Sequence, residues 1–245
     1  TLEYLIKENK NIIAVITPDT DDDWYKGVDE IAKKYNIDLY QNNNINTDQF
    51  IDKIKNMNPD LIVSVNFNQI IGKEIIDIPD KGCINIHASL LPKYRGRAPL
   101  NWAIINGEKK TGVTVHFMDE GIDTGDIILQ EEITIKNSDY IKDILKKVKD
   151  KYPIMINEAI NLIKNDNYKI ISQNKEDGSY YGQRTPEDGN IDWNQSAKDI
   201  YNLIRAVSHP YPGAFTFLDD KKVMIWKAKV IDKNKPKAKQ GEVIK

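Results

Sequence analysis

The chain has 245 residues, of which 35 are basic and 37 acidic, so its formal net charge is −2. This length suits one large domain or a main domain with a small appendage, and so small a net charge excludes a broad electrostatic attraction to nucleic acid or to an anionic membrane. The single cysteine, Cys83, excludes an internal disulfide and a cysteine-based metal cluster, and a reducing, cytoplasmic location is expected. No apolar run approaches the roughly 20 residues of a membrane span.

Short β-branched runs alternate with amphipathic stretches through the first half of the chain. Residues 12–17 and 61–65 are apolar runs typical of strands buried on both faces. Apolar positions recur three or four apart in 25–35 and 47–57, which predicts helices, and the alternation implies a parallel, doubly wound sheet. The chain begins inside a predicted helix, without the strand that should open such a fold. The other predictions are that first helix at 2–10, strands at 38–40, 84–86, 112–118 and 127–135, and one long helix or two at 140–163.

The pattern changes after residue 175, where glycines and prolines become frequent. A loop, a helix at 196–206 and a turn at 210–213 are predicted there, followed by three short strands. We therefore predict a main domain at 1–178 and a small α/β extension at 179–245. The three strands of the extension are predicted at 214–218, 223–230 and 242–244.

Several weaker signals favour structural roles. The acidic residues of 19–30 have the spacing of a calcium loop, but Trp24 stands where that loop needs glycine. Cys83 leads into a predicted buried strand and is expected to be a packed thiol. His116 alternates with apolar neighbours on a strand, which favours a structural role, and His209 is expected on the surface. No phosphate-binding glycine motif or zinc spacing is present, so the predicted fold does not imply ATP or NAD.

Asn85, His87 and Asp123 form the most informative group. Asn85 and His87 are separated by one residue at the end of a predicted strand, so both side chains emerge on the same side of the sheet, where open α/β sheets bind ligands. Asp123 lies in a glycine-bounded loop that can fold back toward them. A carboxylate beside a histidine favours its protonated form, and an amide can stabilise an oxyanion, as acyl transfer to an amine requires. The alternative is that all three are ordinary capping residues near turns.

Three motifs surround this group. They are Asn-x-His-x-Ser-Leu-Leu-Pro at 85–92, Tyr-Arg-Gly-x-Ala-Pro at 94–99 and Gly-x-Asp-Thr-Gly-Asp at 121–126. Together they resemble the 10-formyltetrahydrofolate-dependent formyltransferase family, and the resemblance extends from about residue 12 to residue 213. It implies a Rossmann-like formyltransferase fold with a mostly parallel sheet.

The resemblance also implies a reaction and its residues. The family's catalytic asparagine, histidine and aspartate fall on Asn85, His87 and Asp123, and no metal is needed. A substrate amine would attack the formyl carbon, Asn85 and protonated His87 would stabilise the oxyanion, and Asp123 would hold the histidine. The cosubstrate would be 10-formyltetrahydrofolate, bound through the segments that contain Phe67, Gln69, Ile71, Glu120, Gly121 and Asp123.

The acceptor amine is the least determined part. Methionyl-tRNA formyltransferases resemble one another in a basic insertion after the second strand, whereas here 18–24 is acidic and would repel RNA phosphate. The long tail after residue 178 resembles the tRNA and sugar branches. The combination favours a nucleotide-linked amino sugar, first a dTDP-4-amino-4,6-dideoxyhexose, for surface glycans such as O-antigen or lipopolysaccharide. The alternatives are a methionyl-tRNA formyltransferase and a folate-binding module without turnover.

The resemblance to the sugar branch also implies a homodimer that pairs through the C-terminal part, with neither nucleic acid nor membrane as a partner. Basic and aromatic side chains of the loops are candidates for the substrate's diphosphate, sugar and base, because guanidinium groups suit phosphate and rings can stack. For the basic side chains, solvated loop charge is an equally good interpretation. The predicted substrate-binding residues are Lys93, Tyr94, Arg95, Gln183, Arg184 and Tyr211.

Overall fold

The computed structural model describes residues 1–19, 27–174, 176–231, 239 and 241–242. Most of the acidic stretch at 18–24 therefore lies outside the described residues. No described helix has the length and apolar character needed to span a lipid bilayer. The helices are α1 (Leu2–Lys7), α2 (Val28–Lys34), α3 (Asp48–Met57), α4 (Lys73–Ile76), α5 (Pro99–Ile105), α6 (Ile141–Lys164) and α7 (Ala197–Val207), with a short 3-10 helix at Pro186–Gly189. The strands are β1 (Ala14–Thr17), β2 (Asp38–Gln41), β3 (Ile62–Val65), β4 (Cys83–His87), β5 (Arg95–Gly96), β6 (Lys110–Phe117), β7 (Ile127–Thr134), β8 (Tyr180–Tyr181), β9 (Ala214–Leu218) and β10 (Lys221–Ile225).

The main sheet has four strands in the order β3-β4-β6-β7. β3 and β4 are parallel, as predicted, and so are β1 and β2, which form a separate pair. β6 runs antiparallel to both β4 and β7. The predicted α/β class is confirmed, but the second half of the sheet is antiparallel. For β6 and β7 the reason is the short loop between them, because parallel neighbours need a long crossover.

The predicted helices form with small changes in length. Residues 140–163, predicted as one helix or two, form the single helix α6, which continues through Pro153. α1 ends at Lys7 rather than at residue 10, because Asn9 takes a left-handed φ of 57°. β10 ends at Ile225, short of the predicted 223–230. Residues 243 and 244 of the last predicted strand lie outside the described part of the chain.

The core lies between the main sheet and helices α5 and α6. Ile84 and Val113 of the sheet and Ile144 and Ile156 of α6 are fully buried in one apolar cluster. Burial of each such side chain stabilises the fold by about 1.5–3 kcal/mol. A smaller cluster under β3, α3 and α4 includes Phe50. The packed core therefore fixes the ends of β4 and β6, where the polar residues described below lie.

The C-terminal extension packs into the same core. Ile204 of α7 is buried in the main apolar cluster, and the amide of Asn101 on α5 donates to the Ala206 carbonyl at 2.8 Å. Arg205 is only 3% exposed and donates to the Asp139 carbonyl at 3.0 Å. Strand β8 of the extension pairs in parallel with β5. The extension thus contacts the segment that follows the predicted catalytic strand.

Candidate active site

Three elements of the fold meet at one cluster of polar side chains. Asn85 and His87 lie at the carboxyl end of β4, on the same face. Asp123 lies in the loop that joins β6 to β7. In the strand pairing, Asn85 stands directly opposite His116 of β6. Asn85, His87 and Asp123, the predicted catalytic residues, are therefore brought together, and His116 joins them.

His87 is buried, with 7% of its surface exposed. Its Nε2 lies 2.8 Å from the Tyr94 carbonyl oxygen. Because a carbonyl oxygen can only accept, Nε2 carries a proton and donates it. The other ring nitrogen, Nδ1, lies 3.5 Å from Asp123 Oδ2. A proton gained or lost by this ring is therefore exchanged at Nδ1, beside the carboxylate.

The protonation state of His87 depends on two opposing effects. Burial, the larger of them, lowers the pKa of His87, whereas the charge of Asp123 and the hydrogen bond to Tyr94 raise it. The net direction is downward from the ordinary value of 6.5. The resting ring is thus neutral near pH 7, which differs from the protonated state predicted from the sequence and leaves Nδ1 free to accept a proton.

Asp123 is held as a carboxylate. Its Oδ2 accepts a hydrogen bond from the Gly96 amide at 2.9 Å, and Oδ1 lies 3.6 Å from His116 Nε2. Burial alone would raise the pKa of Asp123, but His116, the charge of His87 and the Gly96 amide lower it to about 2. The residue also adopts a left-handed φ of 55°. This group is therefore ionised throughout the physiological range.

Asn85 and His116 complete the cluster. The Asn85 amide nitrogen lies 3.3 Å from His116 Nε2 and donates to Asp123 Oδ1 at 3.4 Å. His116 is 2% exposed, and its Nδ1 contacts the Phe117 carbonyl oxygen at 2.7 Å. The sequence pattern favoured a structural role for His116 and missed its place in this group. Its position opposite Asn85 is the only signal that identifies it, and that signal requires the strand register.

The predicted folate-binding residues lie on two neighbouring loops. Gln69 ties its own loop to the segment before α3, because its side chain donates to the Asn42 carbonyl at 2.6 Å and accepts from the Ile45 amide at 3.1 Å. Glu120 lies 3.7 Å from Lys73 at the start of α4, which connects the two loops. The remaining predicted positions are Phe67 and Ile71, both partly buried in the smaller apolar cluster, and Gly121, which is exposed on the loop before Asp123.

Two of the predicted substrate-binding residues are used inside the protein. Tyr94 is buried, donates through its hydroxyl to Glu108 at 2.8 Å and stacks on Tyr181 at 5.0 Å. Arg95 is 8% exposed, and two of its guanidinium nitrogens donate to Gln173 Oε1 at 3.1 and 2.7 Å. The prediction that Arg95 binds a diphosphate therefore finds no support in this geometry.

The other predicted substrate-binding residues differ in exposure. Lys93 and Gln183 are exposed. Arg184 lies over the Trp102 ring, 4.6 Å from its centre, and donates to the Asp188 carbonyl at 2.9 Å. Tyr211 packs against the main core, and burial raises its pKa. Arg184, in the segment that follows β8, and Trp102 of α5 thus form a cation–aromatic pair.

Gly96 supports the cluster through its lack of a side chain. Its φ is +92°, and a Cβ there would lie 2.3 Å from the Tyr181 carbonyl oxygen of β8. We expect Gly96→Ala to destabilise the fold by about 2 kcal/mol or more, which corresponds to a Tm lower by roughly 4–8 °C. Thermal unfolding measures this. The control is Gly27→Ala, which has a φ of +85° but no atom within 4 Å of the new Cβ; equal losses in both variants would contradict the clash.

Comparisons with known proteins agree with this geometry. The family described as formyl transferase matches residues 5–160, and the formyl transferase C-terminal domain matches residues 183–245. A methionyl-tRNA formyltransferase of Clostridioides difficile (strain 630) is 44% identical over 242 residues, which cover 96% of this chain and 78% of that protein.

Two solved structures have the same fold. WlaRD, a sugar 3N-formyl transferase crystallised in the presence of dTDP and 5-N-formyl-THF, is 26% identical with a TM-score of 0.72, covering 91% of this chain and 79% of that one. An N-formyltransferase from Helicobacter canadensis, in complex with folinic acid and dTDP-3-aminofucose, is 25% identical with a TM-score of 0.70, covering 91% of this chain and 80% of that one.

Proposed function

The chain belongs to the formyl transferase family, and from this we propose that it moves the formyl group of 10-formyltetrahydrofolate to the amine of a nucleotide-linked amino sugar. The observation that carries formyl transfer is the cluster of Asn85, His87 and Asp123 at the carboxyl end of β4, with Nδ1 of His87 3.5 Å from the Asp123 carboxylate. Open α/β sheets bind their ligands at this edge. The first candidate for the acceptor is a dTDP-4-amino-4,6-dideoxyhexose.

The reaction exchanges one carbon–nitrogen bond for another. The neutral amine of the acceptor attacks the formyl carbon, and the carbonyl oxygen gains negative charge in the tetrahedral intermediate. The bond from the formyl carbon to the folate nitrogen then breaks. The attacking amine loses a proton and the departing folate nitrogen gains one, so charge and protons balance. The protein must therefore stabilise an oxyanion and carry a proton between two nitrogens.

The side chains of the cluster can divide these tasks. We assign oxyanion stabilisation to the Asn85 amide, which would exchange its long 3.4 Å hydrogen bond to Asp123 Oδ1 for one to the oxyanion. His87, neutral at rest, accepts the proton of the amine at Nδ1, directly or through water, and its positive charge then appears beside the Asp123 carboxylate. That carboxylate stabilises the imidazolium and raises its basicity. The imidazolium returns the proton to the folate nitrogen.

The donor would bind at the loops beside this cluster. Lys73, two residues after the segment 67–71, lies 3.7 Å from Glu120 of the loop before Asp123. The Arg97 guanidinium donates to the Asn68 carbonyl at 2.9 Å and so connects the segment 67–71 to the motif at 94–99. The solved relatives with 5-N-formyl-THF and with folinic acid support a folate donor.

Support for a sugar acceptor comes from charge and from the solved relatives. The formal net charge is −2, and the stretch at 18–24 is acidic, which disfavours binding to RNA phosphate. Two structural neighbours carry dTDP or a dTDP-amino sugar. The second candidate function is that of a methionyl-tRNA formyltransferase, which the 44% identity to the Clostridioides difficile enzyme favours.

A panel of acceptors separates the candidates. Release of tetrahydrofolate from 10-formyltetrahydrofolate is followed with dTDP-4-amino and dTDP-3-amino sugars, with UDP-linked aminoarabinose and with methionyl-tRNA. We expect turnover with a nucleotide sugar and none with the tRNA at physiological salt. Turnover with the tRNA alone would replace the sugar proposal by the second candidate. Donor binding without turnover by any acceptor would indicate the folate-binding module.

We propose that the homodimer forms through the C-terminal part of the chain. Phe217, Leu218 and Val223 of the hairpin β9–β10 are exposed apolar side chains. Leu218 and Val223 lie on one face of this hairpin and Phe217 on the other, because neighbouring strand residues alternate. Exposed apolar groups are typical of protein contact surfaces, and a second copy of this chain is the partner we assign to the hairpin, following the resemblance to the sugar branch.

A further inference from the structure

The side chain of Gln173 contacts the backbone of the Asp123 loop. Its amide nitrogen donates two hydrogen bonds, to the Asp123 carbonyl at 3.0 Å and to the Gly125 carbonyl at 2.7 Å. Its Oε1 accepts two hydrogen bonds, both from Arg95. All the hydrogen-bonding capacity of this side chain is therefore used, and it joins β5 to the loop that carries Asp123.

An isolated backbone pairing places Gln173 at this loop. Ile171 and Ile127 exchange two backbone hydrogen bonds, of 2.9 and 3.0 Å, in an antiparallel bridge. Ile127 begins β7, directly after the Asp123 loop. Gln173 follows Ile171 by two residues, so its side chain reaches the carbonyl groups of the loop. Its position depends on this bridge, since no helix or strand contains it.

Arg95 strengthens the hydrogen bonds that Gln173 donates. The guanidinium is buried, and its Nε and Nη2 converge on the single oxygen Oε1 of Gln173. A positive charge on that oxygen polarises the amide and makes its N–H groups stronger donors. The two carbonyl groups of the loop are thus held by a charge-assisted chain rather than by an isolated neutral amide.

Asp123 is fixed at both ends by these contacts. Its backbone carbonyl accepts a hydrogen bond from Gln173, which is held by Arg95. Its Oδ2 accepts a hydrogen bond from the amide of Gly96, the residue after Arg95. On the far side of the loop, Gly125 is so close to β6 that a Cβ would lie 2.0 Å from the Phe117 carbonyl oxygen. The left-handed conformation of Asp123 is unfavourable for a residue with a side chain and persists only where its surroundings enforce it.

We propose that Gln173, backed by Arg95, is a positioning residue that sets the orientation of the Asp123 carboxylate toward His87. The proposal deepens the function proposed above and rests on it, because it takes Asp123 as the group that stabilises the imidazolium of His87. It assigns a role in the reaction to a residue outside the three motifs and to a guanidinium that the sequence suggested for phosphate binding.

The test replaces Gln173 by Met, which keeps the length and removes all four hydrogen bonds. We expect kcat to fall by about 10- to 100-fold, since a misplacement of 1 Å at a reacting group can cost that much. KM for the acceptor should stay within about threefold, because Gln173 is not assigned to bind it. The ring of His87, followed by NMR, should titrate at a lower pH than in the wild type, because a displaced carboxylate stabilises the imidazolium less.

Gln195→Met is the matched control, since Gln195 is exposed and its amide contacts only Asp192 in the described structure. This variant should change neither kcat nor the titration of His87. Gln173→Glu is the second variant: it retains the acceptor for Arg95 but sets an oxygen against both loop carbonyls in place of the two donors, so the same fall in kcat is expected. The His87 titration is followed in Gln173→Met alone, because the charge of the new carboxylate also acts on the ring. Wild-type kcat in either Gln173 variant, or an unshifted His87 titration, would overturn the positioning role. If the wild type turns over no acceptor, the proposed function fails, while the His87 titration still decides whether Gln173 orients Asp123.

Discussion

Replacement of His87 by Asn is expected to lower kcat by about 10²- to 10⁴-fold, the usual contribution of a general acid–base group. Asparagine is too short to reach the Tyr94 carbonyl, which His87 Nε2 contacts at 2.8 Å, so the variant loses this hydrogen bond as well. It has no basic nitrogen at the position of Nδ1, beside Asp123. Steady-state formyl transfer with the accepted acceptor measures the loss, and calorimetric titration with the folate donor should give a Kd close to that of the wild type.

The same substitution elsewhere supplies the control. His209 is exposed in the C-terminal extension and stacks on Trp226 with 3.8 Å between ring centres. His209→Asn should leave kcat unchanged. A His87→Asn enzyme that kept more than about a tenth of wild-type kcat would contradict the role assigned to the ring, as would an equal loss in both variants.

Replacement of Asp123 by Asn should lower kcat by about 10²-fold or more, because the imidazolium of His87 would lose its neighbouring negative charge. The pH profile carries the more specific expectation. Burial lowers the pKa of His87, and the charge of Asp123 opposes that effect. Removal of the carboxylate should therefore lower the pKa of His87 further. The acid limb of the kcat/KM profile, which reports the free enzyme and is expected below the ordinary histidine value of 6.5 in the wild type, should therefore move to still lower pH in the variant.

The same substitution should change how stability depends on pH. The pKa of Asp123 is lowered from 3.8 to about 2 in the folded chain, so its ionisation stabilises the fold above pH 4, by about 2 kcal/mol. This contribution is lost as the pH falls from 4 toward 2. The stability difference between wild type and Asp123→Asn, from urea unfolding, should shrink over that range. Asp52→Asn, on the exposed face of α3, removes the same charge and should show no such change; a constant difference at Asp123 would contradict the lowered pKa.

The pair at the end of β4 could be predicted from the chain itself. A short apolar run identifies the strand, and the alternation of side chains puts Asn85 and His87 on one face. The thiol of Cys83 was also predicted correctly as a packed group, since it is buried and burial raises its pKa to about 12. These inferences depend on neighbours within a few residues, which a sequence displays directly.

The parts that were missed depend on long-range pairing. His116 joins the cluster only because the register of β4 and β6 sets it opposite Asn85. The burial of Arg95 follows from a partner 78 residues away, Gln173, which lies in an irregular segment. A side chain in a charged loop motif is equally compatible with phosphate binding and with an internal hydrogen bond until its neighbours in space are known. For the same reason, the antiparallel pairing of β4 with β6 could not be distinguished from a parallel one by composition.

The pairing of β5 with β8 bears on when the site takes shape as the chain folds. Three backbone amides of residues 94–97 donate hydrogen bonds to segment 179–181. The Tyr94 amide donates to Ser179 Oγ at 2.9 Å, across 85 positions of the chain. The Arg95 amide donates to the Ser179 carbonyl at 2.8 Å, and the Arg97 amide to the Tyr181 carbonyl at 2.9 Å. Contacts between such distant positions form late, because a long loop must close first. During synthesis, the Tyr94 carbonyl that accepts the His87 hydrogen bond and the Gly96 amide that donates to Asp123 acquire their final places only after the extension has begun to emerge. Completion of the candidate site is thereby tied to the arrival of segment 179–181.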